Sequence, residues 1–406
     1  MKNPSKIFLV ILIGGLLAYT IYLSGRIRKI EKKLGGNKKI SCNEKDTVKK
    51  IRESVVRIVG GESEGSGFAI KKGGYILTNY HVISTEPSPK VLLPGNSFET
   101  AQVIMADKDA DLAILKINKD LPTVRFARLD WLNPAEELLA IGYPLGSSLP
   151  GETFVIRGSF SRPVTNKEDG MKYVLTDMTM ISGISGGPMV NICGEVVGIN
   201  TAGLWAGGMG IAVSTDSIFD RCDKMSFAKD PLKDVRKMKF DPNKNSLEAV
   251  RCFYNYLKIR SMEKAFALLS DNFVQGYSFE HWVRGYKPLL DNSLIIIKRD
   301  KQVPDRINIK LATKDLIDDE VVSKFFEGYW DVRKVDGRWL LWKPKIREVE
   351  DPDDEWFVDQ ERRKEIVDFA EAHEDFDKYW PKILEMLEQP ENEEVSIKEL
   401  YKRAKK

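Results

Sequence analysis

The stretch Gly183-Ile184-Ser185-Gly186-Gly187-Pro188 decides how this chain is read. It sets one serine in a glycine-rich turn, where the backbone can fold closely around a hydroxyl. Two further stretches lie upstream: Thr78-Asn79-Tyr80-His81-Val82 and Asp111-Leu112-Ala113-Ile114-Leu115. The order is histidine, aspartate, serine, with short strand-like runs between them. Each piece alone has a duller explanation. The serine could sit in an ordinary turn, His81 could be a satisfied core histidine, and Asp111 a charge at a strand edge. Together they describe one reaction.

That reaction needs each residue type. Serine is a poor nucleophile until a base removes its proton, and a histidine within hydrogen-bond reach can do so near neutral pH. An aspartate on the other ring nitrogen holds the tautomer and stabilises the imidazolium. A tetrahedral intermediate then requires donors for its oxyanion, and backbone N–H groups of a tight turn supply them. Gly183 and Ser185 are the expected donors.

Short runs such as 67–70, 75–77, 112–117, 138–141, 173–175, 196–199 and 211–213, broken by glycines and polar turns, predict an all-β sandwich or barrel. With these runs in place, residues 45 to about 225 resemble the HtrA/Deg branch of the trypsin-like serine proteases. The matching pieces include Gly65-Ser66-Gly67-Phe68, Thr78-Asn79-Tyr80-His81-Val82, Asp109-Ala110-Asp111-Leu112-Ala113, Gly142-Tyr143-Pro144, Gly183 to Asn191, Gly194 to Thr201 and Gly210 to Val213. The resemblance implies two six-stranded β-barrels with His81, Asp111 and Ser185 in the cleft between them. It also puts a specificity pocket at Met178, Met180, Ile211, Ala212 and Val213. These are apolar, so cleavage after small or medium aliphatic residues is expected; the plain alternative is barrel core. The chain departs from the family pattern at Ile184, where Asn or Asp usually precedes the serine, and at Ser182, where proline is common.

The domain reading is a membrane anchor helix over 1–25, a basic linker over 26–44, the protease over 45–228, a linker over 229–245, an α+β domain over 246–349 and an acidic helical tail over 350–406. The fold class is therefore multidomain: an all-β trypsin-like double barrel, a smaller α+β cone and an N-terminal transmembrane helix. The anchor rests on the uncharged run Ile7 to Leu23, read as retained rather than cleaved. Basic residues Arg26, Arg28, Lys29, Lys32 and Lys33 follow it and by charge alone put the downstream side in the cytoplasm. The family resemblance points the other way, to an extracytoplasmic protease, and that expectation is adopted.

No PDZ-like segment follows the protease. Helical patterns within 247–290 and strand-like runs at 293–298, 307–312, 324–335 and 338–342 resemble the nuclear-transport-factor-like (SnoaL-like) cone. Asp336-Gly337 is the signal of a hairpin turn. His281 and Asp331 are the weak acid–base candidates of that domain, and a structural role is the preferred reading of both.

Composition excludes some classes. A net charge of +3 on 406 residues gives no electrostatic case for nucleic acid. Cys42, Cys193, Cys222 and Cys252 form no C-x-x-C pair, and there are three histidines, so no metal or other cofactor is expected. The cysteine spacing gives no reason to pair any two, and they are read as isolated buried thiols. The expected function is a membrane-anchored serine endopeptidase for unfolded or damaged proteins, acting in protein quality control and stress response. A homo-oligomer, a trimer by resemblance, is expected. The alternative is a catalytically silent protease-fold binding or chaperone module, regulated through its oxyanion turn.

Overall fold

A computed structural model describes residues 42–405 except 61–62, 94–96, 145–152, 202–208, 225–230, 234, 236–237, 239, 374, 388–391 and 393–394. The apolar run 7–23 lies outside the described residues. Among the described residues no helix is long and apolar enough to cross a membrane.

The first sheet holds β1 (Val55–Gly60), β2 (Ser63–Lys71), β3 (Tyr75–Thr78), β4 (Lys90–Leu93), β5 (Ser97–Thr100), β6 (Gln102–Asp107) and β7 (Leu112–Lys116). Their order is β5-β4-β1-β2-β3-β7-β6. The two outermost strands are consecutive in the chain, with only Ala101 between them. One bent strand therefore pairs with both ends of the sheet and closes a six-stranded ring. Ile58, Ile76 and Leu115 fill it, all fully buried.

The second sheet holds β8 (Arg125–Phe126), β9 (Glu137–Gly142), β10 (Phe154–Thr165), β11 (Lys172–Thr176), β12 (Pro188–Asn191), β13 (Glu195–Thr201) and β14 (Gly210–Ser214). The order is β12-β9-β10-β11-β14-β13-β8, and β12 also pairs with β13. That extra pairing closes six strands into a second barrel and leaves β8 outside as a parallel addition to β13. The core holds Leu138, Ala140, Val174, Met189 and Val197.

Two described residues of the 229–245 stretch, read as a linker, are tied down. Val235 is 3% exposed in the first barrel's core, and Phe240 stacks on Tyr256 with ring centroids 4.7 Å apart. Helices Ser246–Lys258, Met262–Phe266, Asp271–Val274 and Phe279–Arg284 then precede a four-stranded antiparallel meander. Its strands are β15 (Leu289–Arg299), β16 (Arg306–Ile317), β17 (Glu320–Val335) and β18 (Arg338–Val349). Asp336 (φ 48°) and Gly337 (φ 80°) make the β17–β18 turn, both with the positive φ of a type I′ turn.

One sheet face packs on the Ser246–Lys258 helix through Ile307, Ile309, Trp330 and Leu341. Aromatic side chains fill the interior. Phe253 and Phe273 meet Trp330 edge-on, and the Trp330 indole donates to the Tyr254 hydroxyl at 3.0 Å. Burial pushes the Tyr254 phenol well above its ordinary value.

The acidic tail carries three α-helices among its described residues. Helices Gln360–Glu371, Phe376–Leu387 and Ile397–Ala404 share an apolar cluster in which Ile383, Ile397 and Leu400 are fully buried. Trp356, ahead of these helices, belongs to the sheet instead. Its indole donates to Glu327 at 3.1 Å and its carbonyl accepts from Lys310 at 2.8 Å.

The α+β lobe is bolted to the first barrel. Val59 packs with Leu290, Leu316 and Val321. Beside them lies a buried charge cluster. Glu86 lies 3.7 Å from both Lys90 and Lys258, Lys258 reaches Asp291 at 3.0 Å, and Lys90 donates to the Lys258 carbonyl at 2.6 Å. Burial pushes the Lys90 ammonium below the usual lysine range, against the opposing pull of Glu86 and Asp291.

The reading of all four cysteines as isolated thiols is corrected. Cys193 is disulfide-bonded, whereas Cys222 and Cys252 are free. Burial lifts the Cys252 thiol to about 11, which makes it inert as a nucleophile.

Candidate active site

His81 stands on a single helical turn, Tyr80–Ile83, directly after β3. Its neighbours Tyr80, Val82 and Ile83 are buried, so the turn is held by apolar packing while the imidazole stays 46% exposed. Asp111 ends the turn between β6 and β7 with φ at 52°, a left-handed conformation that aspartate tolerates better than most residues. The Asp107 carboxylate shapes that turn, accepting from the N–H groups of Asp109 and Ala110 at 3.0 Å each.

Asp111 grips the histidine twice. One carboxylate oxygen accepts from the His81 backbone N–H at 3.0 Å, and the His81 Nδ1 lies 2.9 Å from the other. A carboxylate only accepts, so Nδ1 carries the proton and Nε2 is left as the basic nitrogen. Two residues without an assigned role in the sequence hold the aspartate. The Thr201 hydroxyl donates to Asp111 Oδ2 at 3.3 Å. The Asn79 amide donates to the Asp111 carbonyl at 2.8 Å and to the Thr201 hydroxyl at 3.0 Å.

Ser185 lies between β11 and β12, where two turns follow each other. Ile184 N–H donates to the Ile181 carbonyl at 3.4 Å, and Gly187 N–H to the Ile184 carbonyl at 3.1 Å. In each turn the third residue is a glycine with positive φ, Gly183 at 89° and Gly186 at 83°. That is the mark of a type II turn, which requires φ above zero at this place. A Cβ on Gly186 would meet the Ser66 carbonyl oxygen at 2.1 Å, and one on Gly187 the Ile141 carbonyl oxygen at 2.0 Å. The glycines are thus required by close backbone approach as well as by conformation.

Barrel one reaches across to this turn through Ser66 of β2. Ser66 N–H donates to the Ser185 carbonyl at 2.8 Å, and the Ser66 hydroxyl donates to the Gly183 carbonyl at 2.8 Å. The histidine segment approaches the same point. A Cβ on Gly65 would meet the Val82 side chain at 2.6 Å and the Ser185 carbonyl oxygen at 3.0 Å. The residue after His81 and the residue proposed as nucleophile therefore flank one small space. Ser185 itself is 4% exposed.

The five expected pocket residues do not form one set. Met178, Met180 and Ala212 pack in one cluster of the second barrel, Val213 in another, and Ile211 in neither. Strand alternation explains the split, since Ala212 points to the face opposite Ile211 and Val213. Met180 keeps a position next to Gly210, where a Cβ would meet its terminal methyl at 3.0 Å. Ile184 is fully buried with Met178 and Ala140, so an apolar contact holds the turn where a polar residue was expected.

In the α+β lobe, Asp331 is engaged by the Arg306 guanidinium at 2.8 and 3.3 Å. His281 lies exposed on the Phe279–Arg284 helix beside Tyr277.

A family model described as a trypsin-like peptidase domain matches residues 65–199. Serine protease HTRA1 of Xenopus laevis is 38% identical over 162 residues, covering 38% of this chain and 35% of that protein. A Pseudomonas fulva protein named probable periplasmic serine endoprotease DegP-like is 42% identical over 141 residues, covering 34% of this chain and 29% of that protein. A solved HtrA-type protease with a tripeptide aligns at 27% identity and TM-score 0.40, over 45% of this chain and 63% of that one. The chain thus spans about a third of the length of the curated relatives it matches.

The two barrels and the matched segment define a trypsin-like serine peptidase domain. Within that class the matched segment is similar in sequence to serine proteases named as HTRA1 and DegP-like.

Proposed function

We propose that this chain is a serine endopeptidase in which Ser185 attacks the peptide carbonyl, His81 is the general base and Asp111 orients it. The observation that carries the reading is the double grip of Asp111 on His81, which leaves Nε2 as the basic nitrogen. Ser185 N–H and Gly183 N–H are the oxyanion donors, and the positive φ of Gly183 supports a turn able to present its N–H. As the tetrahedral intermediate collapses, the proton taken by His81 passes to the leaving amine.

Met180 and the neighbouring apolar side chains favour small or medium aliphatic residues before the scissile bond. Unfolded proteins are the proposed substrates, since they alone present such side chains in extended, accessible chain. The disulfide at Cys193 supports an oxidising, extracytoplasmic location, as does the periplasmic name carried by the Pseudomonas relative. The run Ile7 to Leu23 is proposed as a membrane anchor. The test is hydrolysis of an unfolded protein by wild type and by Ser185→Ala. The variant should fold and lose all turnover; hydrolysis at the wild-type rate would remove Ser185 from the chemistry.

A further inference from the structure

Ser66 is fully buried, and its polar groups all serve the Ser185 turn or brace Ser66 there. The N–H donates to the Ser185 carbonyl at 2.8 Å. The hydroxyl donates to the Gly183 carbonyl at 2.8 Å and accepts from the Tyr143 N–H at 2.8 Å. The carbonyl accepts from the Thr78 hydroxyl at 2.7 Å. Ser66 and Thr78 belong to the first barrel, while Gly183, Ser185 and Tyr143 belong to the second. One small residue therefore joins both barrels at the point where the proposed nucleophile is presented.

The consequence lies in which peptide planes are held. The Gly183 carbonyl belongs to the Gly183–Ile184 peptide, and the Ser185 carbonyl to the Ser185–Gly186 peptide. Ser66 ties down both. Between them lies the Ile184–Ser185 peptide, whose N–H is the proposed Ser185 oxyanion donor. A peptide plane anchored on both sides, with Ile184 packed into the core, has little freedom to turn its N–H away. Preorganised donors are effective because they need not reorient as charge develops.

We infer that the Ser66 hydroxyl is a positioning residue for catalysis, aligning the Ser185 N–H for the oxyanion by clamping the Gly183–Ile184 peptide from the opposite barrel. The inference rests on the peptidase reading above. It predicts a cost in turnover rather than in substrate binding, because the ground-state carbonyl leans on this donor less than the oxyanion does. Gly142 leaves the space: a Cβ there would meet the Ser66 hydroxyl oxygen at 2.6 Å. A branched or longer side chain at Ser66 would also be crowded, so the informative variants are alanine and the nearly isosteric cysteine.

The experiment measures kcat and KM on a peptide substrate for wild type, Ser66→Ala, Ser66→Cys and Thr215→Val. Thr215 is a control for the loss of a buried hydroxyl, since it is fully buried and donates to the Ala127 carbonyl at 2.7 Å, away from the turn. Ser66→Ala should lower kcat by about tenfold to a hundredfold, within the cost of losing an oxyanion donor outright. KM should stay within about twofold, Ser66→Cys should recover part of the loss, and Thr215→Val should keep wild-type kcat. A Ser66→Ala enzyme with wild-type kcat, or an equal loss in Thr215→Val, overturns the inference. If wild type itself shows no turnover, the peptidase reading falls and the clamp is judged by amide exchange at residues 184–187. Exchange in Ser66→Ala faster by about tenfold supports the clamp, and unchanged exchange refutes it.

Discussion

His81 and Asp111 meet at two places, the ring Nδ1 at 2.9 Å and the backbone N–H at 3.0 Å, so one carboxylate fixes both the imidazole and the helical turn that bears it. Replacement of Asp111 by asparagine keeps the size but offers an amide that can donate to Nδ1, favouring the wrong tautomer. On the proposed mechanism kcat should fall by roughly a thousandfold or more. Thr201→Val removes only the supporting hydroxyl and should cost about tenfold or less. Steady-state kinetics on one peptide substrate check both, and an Asp111→Asn enzyme within tenfold of wild type would dismiss this role.

Gly186→Ala tests the turn rather than the side chains. Its φ of 83° and the 2.1 Å approach of the Ser66 carbonyl oxygen leave no room for a methyl group. Either strain or displacement follows, and both should abolish turnover and lower the melting temperature by several degrees. Thermal unfolding and kinetics on the same preparation should move together. A fully active, equally stable Gly186→Ala would contradict this backbone arrangement.

The buried charges between barrel and lobe make a stability prediction. Glu86 is fully buried, and its removal leaves Lys90 and Lys258 with Asp291 as the remaining acid of the cluster. Glu86→Ala should destabilise by about 3–5 kcal/mol, the usual cost of breaking a buried pair from one side. Urea unfolding monitored by tryptophan fluorescence measures it. A change below about 1 kcal/mol would mean that water reaches the cluster.

Glu64 provides a pH dependence. Its burial alone would raise the carboxyl pKa, but Lys314 at 2.6 Å and Arg57 at 2.5 Å outweigh it, and the net shift is downward from the ordinary 4.5. A carboxylate depressed by folding adds stability that is complete above its unfolded value and is lost as pH falls through the folded one. Wild type should therefore lose stability below about pH 4.5 more steeply than Glu64→Gln, with the two curves running parallel above it. Urea midpoints between pH 3 and 7 compare them, and identical acid limbs would remove Glu64 from the account.

The three residues proposed for the chemistry could be picked out in the sequence because the chemistry admits few residue types and because glycines flag the turn around Ser185. Ser66 and Thr201 were not. A small hydroxyl residue inside a strand looks the same whether it braces a catalytic loop or merely fills space. In the second barrel, strand alternation sends Ala212 to the face opposite Ile211 and Val213, a split that the run of apolar residues alone does not show. In the lobe, the 293–298 and 307–312 runs grew into Leu289–Arg299 and Arg306–Ile317. Their charged outer residues, such as Arg299 and Lys314, hid the strand ends, because a sheet with one solvated face needs apolar residues on the other face only. The charge cluster escaped notice for a related reason. Glu86 and Asp291 lie far apart in the chain, and single charges ordinarily belong to the surface.

The most direct measurement is covalent labelling of the intact chain by a fluorophosphonate, with the modified residue located by peptide mass spectrometry. The account predicts one label per chain, on Ser185, lost in Ser185→Ala and slowed in His81→Ala. A folded protein that stays unlabelled at Ser185, or that reacts equally well without His81, would contradict it.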